Sequence, residues 1–299
     1  TESTVRSGHL SVEMISTVPD SLYFDYTLPD VSKNGASFVG QSVLPPAPVG
    51  GNISHTATYP IDGYHFDLTG PDMDTFNTFL YTMVASLDSS GKLIYISKND
   101  SFRLFFGFLD ILPSYVKGYF GRDTLNIPPT SIELDIFNYF NSGSISFDDI
   151  LIELEITNSI GAEGKIKIND IVATNTSDGN FNSLTCASLI GTDININRAT
   201  ETPLTNVVVT NTLDNSNSNI LDLINLMPDQ ISFSGEVEIN PNGNTLNYQD
   251  FAFETSAIEA NLNMQLPLSF IANDLSLSQE TDFNLYKVEN NDRIKDGTF

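Results

Sequence analysis

The chain has 299 residues and 40% hydrophobic content, enough for two ordinary domains or one long β-rich one with a full core. Its 13 Lys and Arg stand against 38 Asp and Glu, a net charge of −25, yet only 17% of residues are charged at all. A field of that sign repels phosphate backbones and anionic lipid headgroups, which argues against nucleic-acid and peripheral membrane binding. The single Cys186 excludes an intramolecular disulfide framework and a cysteine-based zinc site.

Polarity comes instead from Asn, Ser and Thr, which suit turns and exposed strand faces and form helices poorly. From Leu10 onward the pattern is strand and turn. Leu10, Val12 and Met14 alternate with Ser11 and Glu13, Pro19-Asp20 turns the chain, and a Tyr- and Phe-rich strand follows at 22–28. Asn34-Gly35 is a tight-turn dipeptide. The run Leu44-Pro45-Pro46-Ala47-Pro48 cannot sit inside a sheet, because proline lacks the ladder donor. Further strands are expected at 53–58, 64–68, 78–87 and 92–96, the last two joined by a hairpin loop at 88–91. Together these make a first sandwich of about 100 residues.

The aromatic part of the chain spans 103–109 and 115–120. Ile127-Pro128-Pro129 is expected to break any strand. Ile132, Leu134 and Ile136 then alternate with Glu133 and Asp135. The clearest pattern is at 151–168, where Ile152, Leu154 and Ile156 alternate with Glu153 and Glu155, and Lys165 and Lys167 alternate with Ile166 and Ile168. This predicts a hairpin with lysines laid beside glutamates on its outer face. Short strands are expected at 184–189, 193–197 and 206–210. One helix is expected at 220–227, with Ile220, Leu223, Ile224 and Met227 on one face, a cap at Ser218 or Asn219 and a stop at Pro228. Two turns cannot stand alone, so this helix should close the end of a sheet or barrel. The alternation 231–239, the Asn242-Gly243 turn and runs at 258–265 and 268–277 complete the chain. A faint repeat places an acidic and then an aliphatic residue after a strand at Pro29-Asp30-Val31, Asn169-Asp170-Ile171 and Asn273-Asp274-Leu275.

No apolar run reaches the ~18 residues that span a bilayer as a helix. The chain begins at Thr1 and shows no signal-peptide core, so it reads as processed or as a fragment. Gly297-Thr298-Phe299 resembles the start of another strand, which suggests that the natural polypeptide continues.

The units of strand, Asn-rich turn and second strand resemble the β-sandwich of the late-embryogenesis-abundant type 2 group. More specifically, the chain resembles a family of uncharacterised Bacteroidetes envelope proteins and lipoproteins. The matching stretches are Tyr115-Val116-Lys117-Gly118-Tyr119-Phe120-Gly121, Ile127-Pro128, Leu134-Asp135, residues 154–167 around Thr157-Asn158-Ser159-Ile160-Gly161, and Leu266-Pro267-Leu268-Ser269-Phe270. They cover the middle and C-terminal two thirds of the chain. The resemblance implies export and display at the cell envelope, with envelope or surface proteins as partners; no lipobox cysteine is present. Asp20-Ser21-Leu22 and Asp123-Thr124-Leu125 resemble the O-glycosylation acceptor pattern of such exported proteins, which makes Ser21 and Thr124 candidate acceptors. Asn52-Ile53-Ser54, Asn99-Asp100-Ser101 and Asn175-Thr176-Ser177 are formal N-glycosylation sequons.

Candidate chemistry is sparse. His9, His55 and His65 lack metal-ligand spacing, and no nucleophile elbow or phosphate-binding glycine loop occurs. The carboxylate pairs Glu133/Asp135, Glu153/Glu155 and Glu236/Glu238 lie side by side on single strands, where they solvate a sheet; glycoside hydrolysis needs carboxylates facing each other across a bond. Asp72/Asp74 and Asp148/Asp149, at loops, are better hydrolase or calcium candidates. The run 214–219 alternates oxygen ligands but lacks the glycine and closing glutamate of a calcium loop, so it reads as a helix-capping loop. Tyr115, Tyr119 and Phe120 are the candidate binding residues, as part of an apolar groove or interface, although a chain without tryptophan also needs Phe and Tyr for its core.

The expected fold is mainly β, two or three consecutive antiparallel β-sandwich-like units with one short helix near 220–227. The expected divisions are 1–100, a central 101–210 with the aromatic segment, and 211–299 with the helix and a C-terminal β unit. The expected function is that of a non-enzymatic exported envelope or surface protein, a binding or assembly module that needs no cofactor. The alternative is a carrier of lipid or another apolar ligand in an elongated groove, which a continuous cavity lined by Phe105, Phe108, Tyr119 and the helix would favour. A hydrolase using loop carboxylates is the third reading.

Overall fold

The computed structural model describes residues 1–87, 93–137, 140–265 and 270–277. The protein is mainly β, with several antiparallel sheets in sandwich-like units and one short helix. The first unit contains β1 (Glu2–Ser16), β2 (Leu22–Lys33), β3 (Ala36–Leu44), β4 (Ile53–Pro60), β5 (His65–Asp67), β6 (Thr82–Leu87) and β7 (Phe102–Gly118). β1 pairs with β7 along one edge and with β4 and β5 along the other, while β2 lies between β3 on one side and β5 and β6 on the other. The short β5 thus joins two layers. Their facing sides are the alternate residues Leu10, Val12 and Met14 of β1 and Leu22, Phe24, Tyr26 and Leu28 of β2, all in one buried core. The β2–β3 turn is tight because Asn34 and Gly35 both take left-handed backbone conformations, φ 52° and 79°.

The second unit contains β8 (Asp123–Glu133), a 3-10 turn (Asp135–Phe137), β9 (Phe140–Phe147), β10 (Leu151–Asn158), β11 (Gly164–Asn175), β12 (Asn180–Ser183), β13 (Asp193–Ile196), β14 (Thr200–Glu201), β15 (Leu204–Thr205) and β16 (Val207–Leu213). It continues with α1 (Ile220–Ile224), β17 (Gln230–Ile239), β18 (Asp250–Phe253), β19 (Ile258–Gln265) and β20 (Phe270–Leu277). One sheet runs β16-β10-β19 and the opposing one β12-β11-β17-β8, with β13 beside β11; β9 pairs with β20. β18 leaves this unit and extends the first sheet, pairing with β7 at Tyr115–Gly118. The sheets therefore cut across the divisions expected at residues 100 and 210: β7 belongs with β1, and the second core draws on residues from Phe137 to Met264.

Three local expectations need correction. The glutamate strand β10 and the lysine strand β11 do not pair; they lie in opposing sheets. The buried Asn158 carries the chain across, its Nδ2 donating to the Ala162 and Asn197 carbonyls at 2.9 and 3.0 Å and its Oδ1 accepting from the Ile160 N–H. Lys165 instead meets acids of other strands, Glu238 at 2.7 Å and Asp193 at 3.6 Å. Second, Pro128 and Pro129 do not break a strand. They sit in β8, whose only described partner is β17, at a register shift where missing donors cost little. Third, 184–189 is not a strand, although Leu184, Cys186 and Leu189 are buried.

The helix is shorter than the expected 220–227. It ends at Ile224, and Met227 takes a left-handed conformation with φ 48° before Pro228. Asn219 does not cap it with its side chain but ties its start to the chain after β12, accepting from the Thr185 N–H at 2.6 Å and donating to the Ser183 carbonyl at 3.0 Å. The hairpin loop expected at 88–91 lies outside the described residues, as do Leu266, Pro267, Leu268 and Ser269; residues 93–96 form no strand.

Candidate functional site

An apolar cleft of about 310 Å³ lies between the two sheets of the second unit. Ile152, Leu154 and Ile156 of β10 form one wall, while Ile166, Ile168 and Ala173 of β11 and Phe233 of β17 form the other. The buried face of α1, Ile220, Leu223 and Ile224, closes one end. Strand alternation turns these side chains inward. The neighbouring Glu153, Glu155 and Lys165 face outward by the same rule.

Two causes keep the space open. Almost every lining side chain is aliphatic, and sheets ~10 Å apart need large residues to meet across the gap. At the middle of β17, Gly235 adds no side chain, because a Cβ there would meet the Lys167 carbonyl oxygen at 2.6 Å. The cleft opens between β8 and β19, each an edge strand with one described partner. Their inward residues Ile132 and Leu262 are accordingly 48% and 47% exposed. On β19 the lining positions are Ile258, Ala260, Leu262 and Met264, six residue steps or about 20 Å of slot.

Tyr115, Tyr119 and Phe120 do not line this cleft. The structure brings them together at the seam where β18 joins the first sheet. The Tyr115 hydroxyl donates to Glu201, which also pairs with Lys117 at 2.9 Å, and the Tyr115 ring lies 5.1 Å from that of Phe253. Tyr119 packs edge-on against Tyr248, and the Phe120 N–H donates to the buried Asp250 carboxylate at 3.0 Å. Fully buried Phe251 fills the seam against Gly161, where a Cβ would lie 2.1 Å from the ring. Burial and the hydrogen bond to Glu201 push the Tyr115 hydroxyl well above its usual pKa. Burial works to raise the Glu201 carboxyl, but donation from Tyr115 and the bond and charge of Lys117 outweigh it and hold that group below its usual range.

The other candidates are dispersed. No group of three or more His, Cys, Asp or Glu among the described residues is placed to hold a metal ion. Asp214 turns its Oδ1 onto its own loop, accepting from the Ser216 N–H and hydroxyl, which pull its pKa down; this is a loop-capping role. Asp72 and Asp74 are exposed, and Asp149 accepts from the Ile150 N–H. The two glycosylation-like triplets share one local geometry, with Asp20 and Asp123 each accepting the N–H of the next residue at 2.9 and 2.8 Å; Thr124 is exposed and Ser21 half-buried. No helix among the described residues is long and apolar enough to cross a membrane. Neither the scan of family models nor the searches of curated proteins and solved structures find a match to this chain.

The residues that line the cleft are visible in the sequence only as inward strand positions. The one signal that could have marked them is where rings are scarce: ten Phe and eight Tyr fall within residues 1–120, whereas Phe233 is the one aromatic among the cleft-lining residues.

Proposed function

We propose that this protein is a non-enzymatic binding module of an exported, envelope- or surface-displayed kind that holds an apolar ligand between the sheets of its second unit. The observation that carries the reading is the cleft itself, at the lower end of the ~300–1,000 Å³ range of ligand pockets. Its walls offer mainly methyl and methylene groups, which bind by exclusion of water, with Lys167, Ser234 and Glu236 the hydrophilic residues among the lining. Export and envelope display rest on the family resemblance and fit the acidic, amide-rich exterior.

An assembly role is favoured by a different observation. In the first unit β6 and the 102–110 part of β7 are edges with one described partner each, and Val84, Phe105 and Leu109 are 59%, 49% and 47% exposed. Native mass spectrometry of the full chain tests both readings. A lipid-sized adduct on the monomer, removed by delipidation and absent in Ala260→Phe at an unchanged melting temperature, is expected for the cleft reading. An adduct that survives Ala260→Phe would overturn it. A dimer that Phe105→Ser abolishes would support the assembly reading, and a persistent monomer at high concentration would end it.

A further inference from the structure

We propose that the free edge of β19 is a docking site for one extended segment of a partner protein, in which aliphatic side chains alternate with basic ones. It does not depend on what occupies the cleft, because it is built by the sheets and their edges. Among the described residues the sheet β16-β10-β19 is three strands wide, while the opposing β12-β11-β17-β8 is four. The extra strand, β8, keeps an apolar inward face that is poorly covered. Leu125 stands in register with Val237 and Ile132 with Ile231, both cleft-lining residues, yet Leu125 is 67% exposed and Ile132 48%. One further strand beside β19 would make the widths equal and cover both side chains.

β19 can accept that strand through its backbone. The Ser159 N–H donates to the Ala257 carbonyl at 3.0 Å, in the register that continues through the pairing of β10 with β19. Bonded pairs recur at every second residue of an antiparallel ladder, so Glu259, Asn261 and Asn263 turn their N–H and C=O groups to β10. Ile258, Ala260, Leu262 and Met264 turn theirs to the free edge. β19 also lacks the devices that close an edge, having no proline, no lysine and no register shift against β10. β8 has two of them, the Pro128-Pro129 pair and a shift, which leaves β19 as the receptive side of the mouth.

Charge selects the partner. The outward row of this sheet sets Glu155 opposite Asn261, Glu153 opposite Asn263 and Thr157 opposite Glu259, so acids and amides would flank the outward residues of a docked strand. The protein already joins strands in this way. Glu236 and Glu238 of β17 stand in register with Lys167 and Lys165 of β11, and Lys165 Nζ lies 2.7 Å from Glu238. A docked segment with aliphatic residues inward and lysines or arginines outward repeats that pairing.

The test is fluorescence anisotropy of the full chain with three labelled nine-residue peptides: lysine and valine in alternation, the same residues in two blocks, and glutamate and valine in alternation. The alternating lysine peptide is expected to bind about tenfold tighter than either of the others, and its margin over the glutamate peptide should narrow as salt rises. Ala260→Pro removes a free-edge donor without touching the β10 ladder, and should weaken that peptide about tenfold at an unchanged melting temperature. Hydrogen exchange gives a readout that needs no variant. In the unbound chain the Ala260 and Leu262 amides should exchange fast and those of Asn261 and Asn263 slowly, and the peptide should slow the first pair about tenfold. Equal binding of the block and alternating lysine peptides would reduce recognition to net charge and overturn the inference. Slow exchange at Ala260 and Leu262 before any peptide is added would overturn it too, because the edge would already be covered by a second copy or by the chain itself.

Discussion

The first unit packs rings against rings, and the second sets aliphatic rows opposite each other across a gap they do not fill. In the first, Tyr26 touches Tyr59 and Phe106, Phe66 touches Phe79 and Phe108, and Phe24 touches Phe102, all edge-to-face with centroids 5.7–6.4 Å apart. Such rings bridge two layers, and each pair adds about 1 kcal/mol beyond its area. In the second unit the inward residues are Ile, Leu, Val and Ala with few exceptions, and the cleft remains. Similar strand chemistry thus yields a filled core in one place and a vacancy in the other. What differs is side-chain reach.

The largest effect expected from that contrast is on core truncation. Phe24→Ala removes a ring that is 1% exposed and should cost about 4 kcal/mol, the range for an aromatic lost from a close-packed core. Leu154→Ala removes a side chain that already borders open space and should cost about 2 kcal/mol, at the low end for leucine. Equilibrium denaturation of the two variants measures the difference, and equal losses would mean that the second core is as tightly packed as the first.

A smaller effect is expected at the seam between the units. Tyr115→Phe removes a donor to Glu201 while leaving Lys117 in place, and for a partly exposed carboxylate should cost about 1 kcal/mol at neutral pH. Because the folded Glu201 pKa is depressed, its stabilisation is complete above the ordinary value of 4.5 and is lost as pH falls through the folded value. Stability of the native protein and of Tyr115→Phe should therefore converge in acid, as denaturation midpoints across that range would show. A gap that persists in acid would assign the Tyr115 hydroxyl a role unconnected with the Glu201 charge.

Strand faces were legible in the sequence; strand partners were not. Ile152, Leu154 and Ile156 are inward as their alternation requires, since period two depends only on local backbone geometry. The charges of Glu153, Glu155, Lys165 and Lys167 mark the outer faces correctly but misidentify the partner, because any acidic strand satisfies a lysine row and β17 is one. The Asp-aliphatic triplets are a subtler case. Read as an irregular repeat after strands, all three fall at register shifts inside strands, between Leu28 and Ser32, Ile168 and Asp170, and Asn273 and Ser276. They mark bulges, where an extra residue bends the strand. Tyr115, Tyr119 and Phe120 were recognisable as a set, yet their place at the seam is created by Asp250–Phe253, over a hundred residues away. The cleft left no pattern beyond the scarcity of rings among its lining residues, since it is the difference between sheet spacing and side-chain length.

An effect of similar size but opposite sign sharpens the comparison from inside the hollow unit. β16 presents Val207, Val209, Asn211 and Leu213 to the interior in alternation, and Asn211 Nδ2 is buried without a hydrogen-bond partner among the described residues. Opposite it in register stands Leu154, a cleft wall, so the amide lies in apolar surroundings. A buried donor left unsatisfied costs about 1–3 kcal/mol, and replacing it with an apolar side chain of similar volume removes that penalty. Asn211→Val should therefore raise stability by about 1 kcal/mol, where most substitutions in a core lower it. If thermal and chemical denaturation show a loss instead, Asn211 has a partner in the folded protein, and a polar occupant of the second unit's interior would be the first to look for.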